Sequence, residues 1–511
     1  LRATTRHAIL PGKAFMKTRS ATLLLAASLI AGATEPTPET RRWWSHIQAL
    51  ANDSLAGRDV GSEGYRRAAL YVSSQFDRLG LKPAGENGYL QSVPMHADRL
   101  NVARSSIELV DDNGVRKPIA WLRQITVTAN PRVPQTIDAP MVFVGSADYG
   151  KTLDLQGKVV VELNPPLLPG AQRVIANTPP RALGILGIGS PLGPEPSRWP
   201  ASYAVAVTIR GTPANPNTTP AWTFNPEFAD LLFEGSGHTY KQVLDLSAQG
   251  KPVPNFALRF RLRATMNFEE TDIASDNVLA ILPGSDPALV NEYVAISAHL
   301  DGYGLGEPVK GDSIYNGAFD DAAYVATLID FAERLKESGT RLRRSVLFVV
   351  ITGEEKGLLG SRYFTQHPTI PKEQIVADVN LDQLRPLFPL KTLTTVALDQ
   401  STLGDTVMQV AQTMNIRIQP DPEPARNLLR RSDNWNFMQM GVPAVGFVFG
   451  FEPGSPEEAI YRDWYNNRYH KPADDLDQPW DPAAAAKFND FFGKLVQTIA
   501  NTEERPRWTN K

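Results

Sequence analysis

Five separated segments of the chain carry residues able to bind protons or metal ions. They are His299 and Asp301 in "SAHLDGYG", the Asp320–Asp321 pair in "YNGAFDDAA", Glu354 and Glu355 in "TGEEKGLLGS", Asp382 in "VNLDQL" and His470 in "RYHKPADD". Only seven histidines occur in the sequence, and two of them belong to this set. Singly, each piece has an ordinary structural use. An Asp pair opening a helix can cap it, adjacent glutamates can line a solvated first turn, and "YHKPADD" can be a surface turn. Together, two imidazoles and several carboxylates suit a paired divalent-metal site. Zinc takes His nitrogen and carboxylate oxygen and keeps an open position for water. Two metals about 3.5–4 Å apart need a shared carboxylate. One further carboxylate has to stay off the metals and accept a proton from water, with its pKa tuned toward neutrality.

Such residues need rigid supports, and the sequence places them at the ends of predicted elements. "EYVAISAH" ends in His299, "RSVLFVVIT" runs into Glu354 and Glu355, and "VADVNLD" ends at Asp382. Asp320 and Asp321 open the helical stretch "AAYVATLIDFAERLKES", and His470 lies in a loop. Continuous apolar strands alternating with helices predict an α/β fold, with a mostly parallel central sheet covered by helices on both faces. In such sheets ligands bind at the carboxyl ends of the strands. This part is expected over residues 266–505. Upstream, 34–100 reads as helical, with apolar spacing of three and four in "RRWWSHIQALAND" and "GYRRAALYVSSQFDRLG" and a C-cap at Gly80. Between them, 101–265 predicts a β-rich inserted domain. Its short runs "APMVFVG", "GKVVVEL", "SYAVAVTIRG" and "FALRFRLRAT" are separated by Pro- and Gly-rich turns.

Bulk properties narrow the function classes. The 511 residues exceed one ordinary core, and 42% hydrophobic with 21% charged residues is a globular composition. The 52 Lys and Arg against 55 Asp and Glu give a formal charge of −3, so no basic field argues for nucleic acid. Cysteine is absent, which removes thiolate metal sites and cysteine nucleophiles. Neither G-x-S-x-G nor H-E-x-x-H is found, against a serine hydrolase elbow or a single-zinc helix. From Met16, the basic residues Lys17 and Arg19, the apolar run Ala21–Ile30 and the small residues Ala31–Ala33 predict a signal peptide. Residues 1–33 are thus expected to be leader, and the mature protein periplasmic or secreted, without a stable membrane span.

The five segments, in order, resemble the motifs of the di-zinc aminopeptidase family, which includes bacterial leucyl aminopeptidases and glutamate carboxypeptidases. "LAGRDVGSEGYRRAALYVSSQFDRLGLKPAGENGYLQ" is similar to the segment before the insert of larger members, and the insert resembles a protease-associated domain by position. The resemblance implies the zinc exopeptidase fold, peptide substrates and two Zn2+ ions. His299, Asp320 and Asp382 would hold one ion, and Asp320, Glu355 and His470 the other. Glu354 would be the base for a metal-bridging water, and Asp301 would orient His299. Tyr469 and Asp474 are implied as supporting neighbours. The implied activity is that of an exported aminopeptidase. Carboxypeptidase-like or glutaminyl cyclase chemistry, or a non-catalytic receptor role, are the alternatives on this fold. Three positions depart from the family pattern: Gly302 where another His is common, Ala323 and Tyr324 where Ser-Gly is common, and Asn434 where a His is often found.

Overall fold

The apolar runs that end on the candidate ligands form the centre of a ten-stranded sheet. In this computed structural model residues 35–145, 154–164, 182–190, 204–213, 218–382 and 385–509 are described. The expected signal peptide lies outside the described residues. Strand Tyr293–His299 sits between Ser345–Ile351 and Ile375–Leu381 and is parallel to both. Ala444–Phe449 extends the parallel set beside Ile375–Leu381. His299 pairs with Ile351 and Leu381 with Phe447, so these strands end at one edge of the sheet. Whatever follows them emerges together.

Burial explains the strand composition. Ser345–Ile351 and Ile375–Leu381 are buried at every residue. Val294, Ile296 and Ala298 face one apolar core, while Ala295 faces another with Leu347, Val349 and Ile351. The first core is built with the helices Pro38–Leu50, Glu63–Leu79, Ala323–Ser338 and Pro482–Asn501. The second is built with Phe364 and Phe437, from the helices Leu359–Gln366 and Asn434–Met440. Helices therefore cover both faces. Each fully buried Val, Leu or Ile contributes about 1.5–3 kcal/mol, which holds the strand ends rigidly. Local signals set the helix limits: Ser62 Oγ accepts from Tyr65 N at 3.1 Å, and Gly80 ends that helix at φ 81°.

Outside the central strands the sheet is mixed, with Thr392–Val396 parallel to Arg417–Gln419 at one edge. Phe268–Leu282 is antiparallel to both Ser345–Ile351 and Leu90–Leu100, and Thr392–Val396 is antiparallel to Ala444–Phe449. The expectation of a mostly parallel sheet thus holds where helices cover both faces. It gives way toward Leu90–Leu100, where burial alternates along the strand and one face is less covered. A second, eight-stranded sheet lies between Ser106 and Thr265 around its own core, which includes Phe143, Phe224, Phe233 and Leu262. One run read as part of the insert behaves differently. Strand Val205–Ile209 pairs with Leu90–Leu100 in the ten-stranded sheet, where Val207 and Ile209 pack with Met95 and Leu359. Among the described residues, no helix is long and apolar enough to cross a membrane.

Candidate metal centre

His299 is the last residue of its strand and is buried. Its backbone N–H donates to Asp321 Oδ2 at 3.2 Å. Asp320 and Asp321 follow the loop from the adjoining hairpin, in a turn over Ala318–Ala322 whose Asp320–Asp321 peptide bond is cis. Asp474 fixes that turn by accepting from Phe319 N at 2.9 Å and Asp320 N at 3.0 Å. The Glu354–Glu355 turn is held in the same manner. Asp301 accepts from Glu354 N at 3.0 Å and Glu355 N at 3.2 Å. His299 Nδ1 lies 3.1 Å from the Asp301 backbone carbonyl and 3.8 Å from its carboxylate. The carbonyl orients the imidazole, and the carboxylate anchors the two glutamates.

The expected ligands converge. Asp320 presents one oxygen to each histidine, Oδ1 at 3.2 Å from His299 Nε2 and Oδ2 at 3.2 Å from His470 Nε2. Asp382 Oδ1 is 3.9 Å from His299 Nε2, and Glu355 Oε2 is 3.4 Å from His470 Nε2. Glu354 Oε2 lies 3.9 Å from His299 Nε2. Within His299, Asp320 and Asp382, and within Asp320, Glu355 and His470, one donor atom of each residue lies within 4.8 Å of the others. A grouping of His299, Glu354 and Glu355 meets the same limit. Asp320 Oδ2 and Glu355 Oε1 are buried without a well-directed hydrogen bond. Unsatisfied carboxylate oxygens are costly in a protein interior, and a divalent cation among these donors would satisfy them. The residues therefore fit a metal.

The electrostatics point the same way. Burial pushes the Glu354 carboxyl well above the ordinary range; His299 opposes this, and Asp382 and Glu355 add to it. Burial likewise raises Glu355, with a further push from Asp320. Asp382 rises to about 6 through burial, against the pull of His299. Burial also acts to raise Asp320, yet its hydrogen bonds to His299 and His470 outweigh it and hold the group low. A cluster of carboxylates that cannot all ionise in isolation is one that a cation stabilises.

Further residues support these ligands. Arg58, fully buried, donates to the carbonyls of Leu300 at 2.8 Å, Leu50 and Asn316 at 2.6 Å and Gly317 at 3.0 Å. It ties the N-terminal segment to the loops after His299 and before Asp320. Ser361 donates to Asp433. The Tyr469 ring stacks on His470 with centroids 3.7 Å apart. Of the departures, Tyr324 is wholly buried against Phe488 in the helical core. Asn434 is buried beside Asp433. Tyr303, which follows Gly302, hydrogen-bonds His470. A cavity of about 340 Å³ opens onto Asp320, Glu354, Glu355, Asp382 and His470, with Tyr303, Arg430 and Arg431 also in its lining.

Solved structures with the same fold include the aminopeptidase of an Aneurinibacillus strain, 17% identical, with a TM-score of 0.58 over 91% of this chain and 95% of that one. A zinc aminopeptidase of Bacillus subtilis is 15% identical, with a TM-score of 0.59 over 92% and 97%. A Peptidase M28 precursor of Shewanella amazonensis is 17% identical, with a TM-score of 0.59 over 93% and 98%. Among curated proteins, carboxypeptidase Q of Xenopus laevis is 27% identical over 178 residues, 34% of this chain. The match spans 33% of that relative's length. Residues 277–496, which contain every candidate ligand from His299 to His470, match Peptidase family M28.

Proposed function

We propose that the protein is an exported, zinc-dependent aminopeptidase. The observation that carries this reading is Asp320, whose two oxygens lie 3.2 Å from His299 and 3.2 Å from His470, as a carboxylate shared by two metals requires. Two zinc ions, one held by His299, Asp320 and Asp382 and one by Asp320, Glu355 and His470, would supply Lewis acidity and make water nucleophilic at neutral pH. The chain supplies the rest. Glu354 faces the cavity, and burial raises its proton affinity. It takes the proton of the attacking water and passes it to the departing amine, so that one water is consumed per bond cleaved. Asp301 fixes Glu354 through its backbone amide. Glu355 is nearer His470, at 3.4 Å, which supports it as ligand and Glu354 as base.

The Bacillus subtilis neighbour's name, a zinc aminopeptidase, supports the choice of metal and reaction. Export rests on the pattern of basic, apolar and small residues from Lys17 to Ala33. Residues 101–265, apart from strand Val205–Ile209, are taken as the β-rich insert. A second reading, carboxypeptidase-like cleavage, is favoured by Arg430 and Arg431 in the cavity lining, since guanidinium groups suit a substrate's terminal carboxylate. A panel of chromogenic aminoacyl amides and of N-blocked peptides with a free C-terminus, each with and without chelator, separates the two. Cleavage of free amides alone, abolished by chelator, is expected. Cleavage of N-blocked peptides at a free C-terminus would replace the first reading by the second.

A further inference from the structure

His470 turns Nε2 toward the other candidate ligands, at 3.2 Å from Asp320 and 3.4 Å from Glu355. Its other ring nitrogen, Nδ1, lies 3.0 Å from the Tyr303 hydroxyl, and the two rings sit with centroids 4.4 Å apart. The same hydroxyl is a hydrogen-bonding neighbour of the Glu355 carboxylate. A phenol both donates and accepts. A hydroxyl that accepts from His470 Nδ1–H and donates to Glu355 would leave Nε2 without a proton, the form in which an imidazole can be a ligand. A partner on the far nitrogen sets the tautomer and ring angle of a metal-bound histidine. Here a tyrosine stands where a carboxylate or carbonyl is usual.

The ring itself is held from behind. Tyr303 lies between Gly302 and Gly304. A Cβ at 302 would stand 2.8 Å from the Gly57 carbonyl, and one at 304, where φ is 76°, would stand 2.6 Å from Asp59 Cβ. Both glycines let this loop lie flat against residues 57–59. Asp59 pairs with Lys356 at 3.0 Å, and the Lys356 ammonium sits 5.3 Å from the centroid of the Tyr303 ring. The Lys356 side chain is only 9% exposed, so solvent weakens this contact little.

We propose that Tyr303 is a positioning residue for the metal held by Asp320, Glu355 and His470: its hydroxyl fixes the tautomer of His470 and aligns Glu355, and Lys356 with Asp59 clamps its ring. The inference rests on the two-metal reading. Its test is metal affinity rather than turnover. Wild type, Tyr303→Phe and Lys356→Met are titrated with Zn2+ against a chromophoric chelator, and the Co2+-substituted forms are followed by visible absorption. Wild type should bind two equivalents. Tyr303→Phe should keep one unchanged and bind the other about 10–100-fold more weakly, with an altered Co2+ band and an unchanged melting temperature of the metal-free protein. Lys356→Met should weaken the same equivalent by a smaller factor. Two wild-type affinities in Tyr303→Phe would overturn the proposal, as would equal weakening of both metals. Should Tyr303→Phe not fold, an unaltered second equivalent in Lys356→Met overturns it instead. A wild type that binds no metal removes the two-metal reading and this inference together.

Discussion

On the eight-stranded sheet, Arg261 and Arg263 hold Asp138 at 3.0 and 3.1 Å, with all three side chains between 37% and 44% exposed. At the edge of the ten-stranded sheet, Asp301 and Asp321 are 0% exposed, Asp320 is 4%, and the groups around them are mostly other carboxylates. Residues of the same type are put to different ends. Exposed pairs are screened by water and contribute about 0–1 kcal/mol each. Buried carboxylates cost several kcal/mol unless compensated, and Arg58 is a buried cation set among the backbone loops that carry them. Burial lowers its pKa while Asp474 and Asp301 oppose this, and a guanidinium stays charged regardless. The contrast shows where the fold accepts a local cost, and that place is the candidate metal centre.

The sharpest way to break the contrast is to remove the shared ligand. Asp320→Ala should lose both zinc ions by elemental analysis and reduce hydrolysis to background. Glu354→Gln should retain both ions and lower kcat by about 10²–10⁴-fold. Metal loss in that variant, with Glu355→Gln unaffected, would reverse the two assignments. On the other sheet, Phe143→Ala in its core should cost about 3–5 kcal/mol of stability by denaturant titration, with metal content per folded molecule unchanged.

Smaller effects test the charges away from the site. Burial acts to raise the Glu333 pKa, but His46, Arg78 and Arg42 hold it below its usual value. It therefore contributes stability above the unfolded pKa of about 4.3, lost as pH falls through the lower folded value. Glu333→Gln should flatten the acid limb of the melting-temperature profile; an unchanged limb would assign that limb to other groups. Last, Arg263→Ala should shift stability by less than about 1 kcal/mol, and the shift should shrink in high salt.

Much of this arrangement could be read from the chain because strands signal themselves locally. Each apolar run ends on a polar residue capable of chemistry, and parallel pairing brings those ends together. Asp301 shows the limit. Its position beside His299 was legible, but its carboxylate reaches Glu354 and Glu355, 53 and 54 residues away, by a contact no spacing announces. Tyr303 was hidden for the same reason, since its partner His470 lies 167 residues on. The antiparallel flanks were missed because Phe268–Leu282 begins with the polar run "FEETD", whose face is mostly exposed. "SYAVAVTIRG" looked like its neighbours in composition, and only its pairing with Leu90–Leu100 assigns it to the other sheet.

Arg58 has a consequence for how much of the chain is needed. The segment that carries every candidate ligand begins well after it, and Leu300, its nearest partner in that segment, is 242 residues downstream. A fragment cut to the family-matching segment would hold all the ligands yet leave the carbonyls of Leu300, Asn316 and Gly317 without their donor. An intact centre is thus expected to need the joined chain: the N-terminal segment acts as a keystone that pins loops from the opposite end of the sequence.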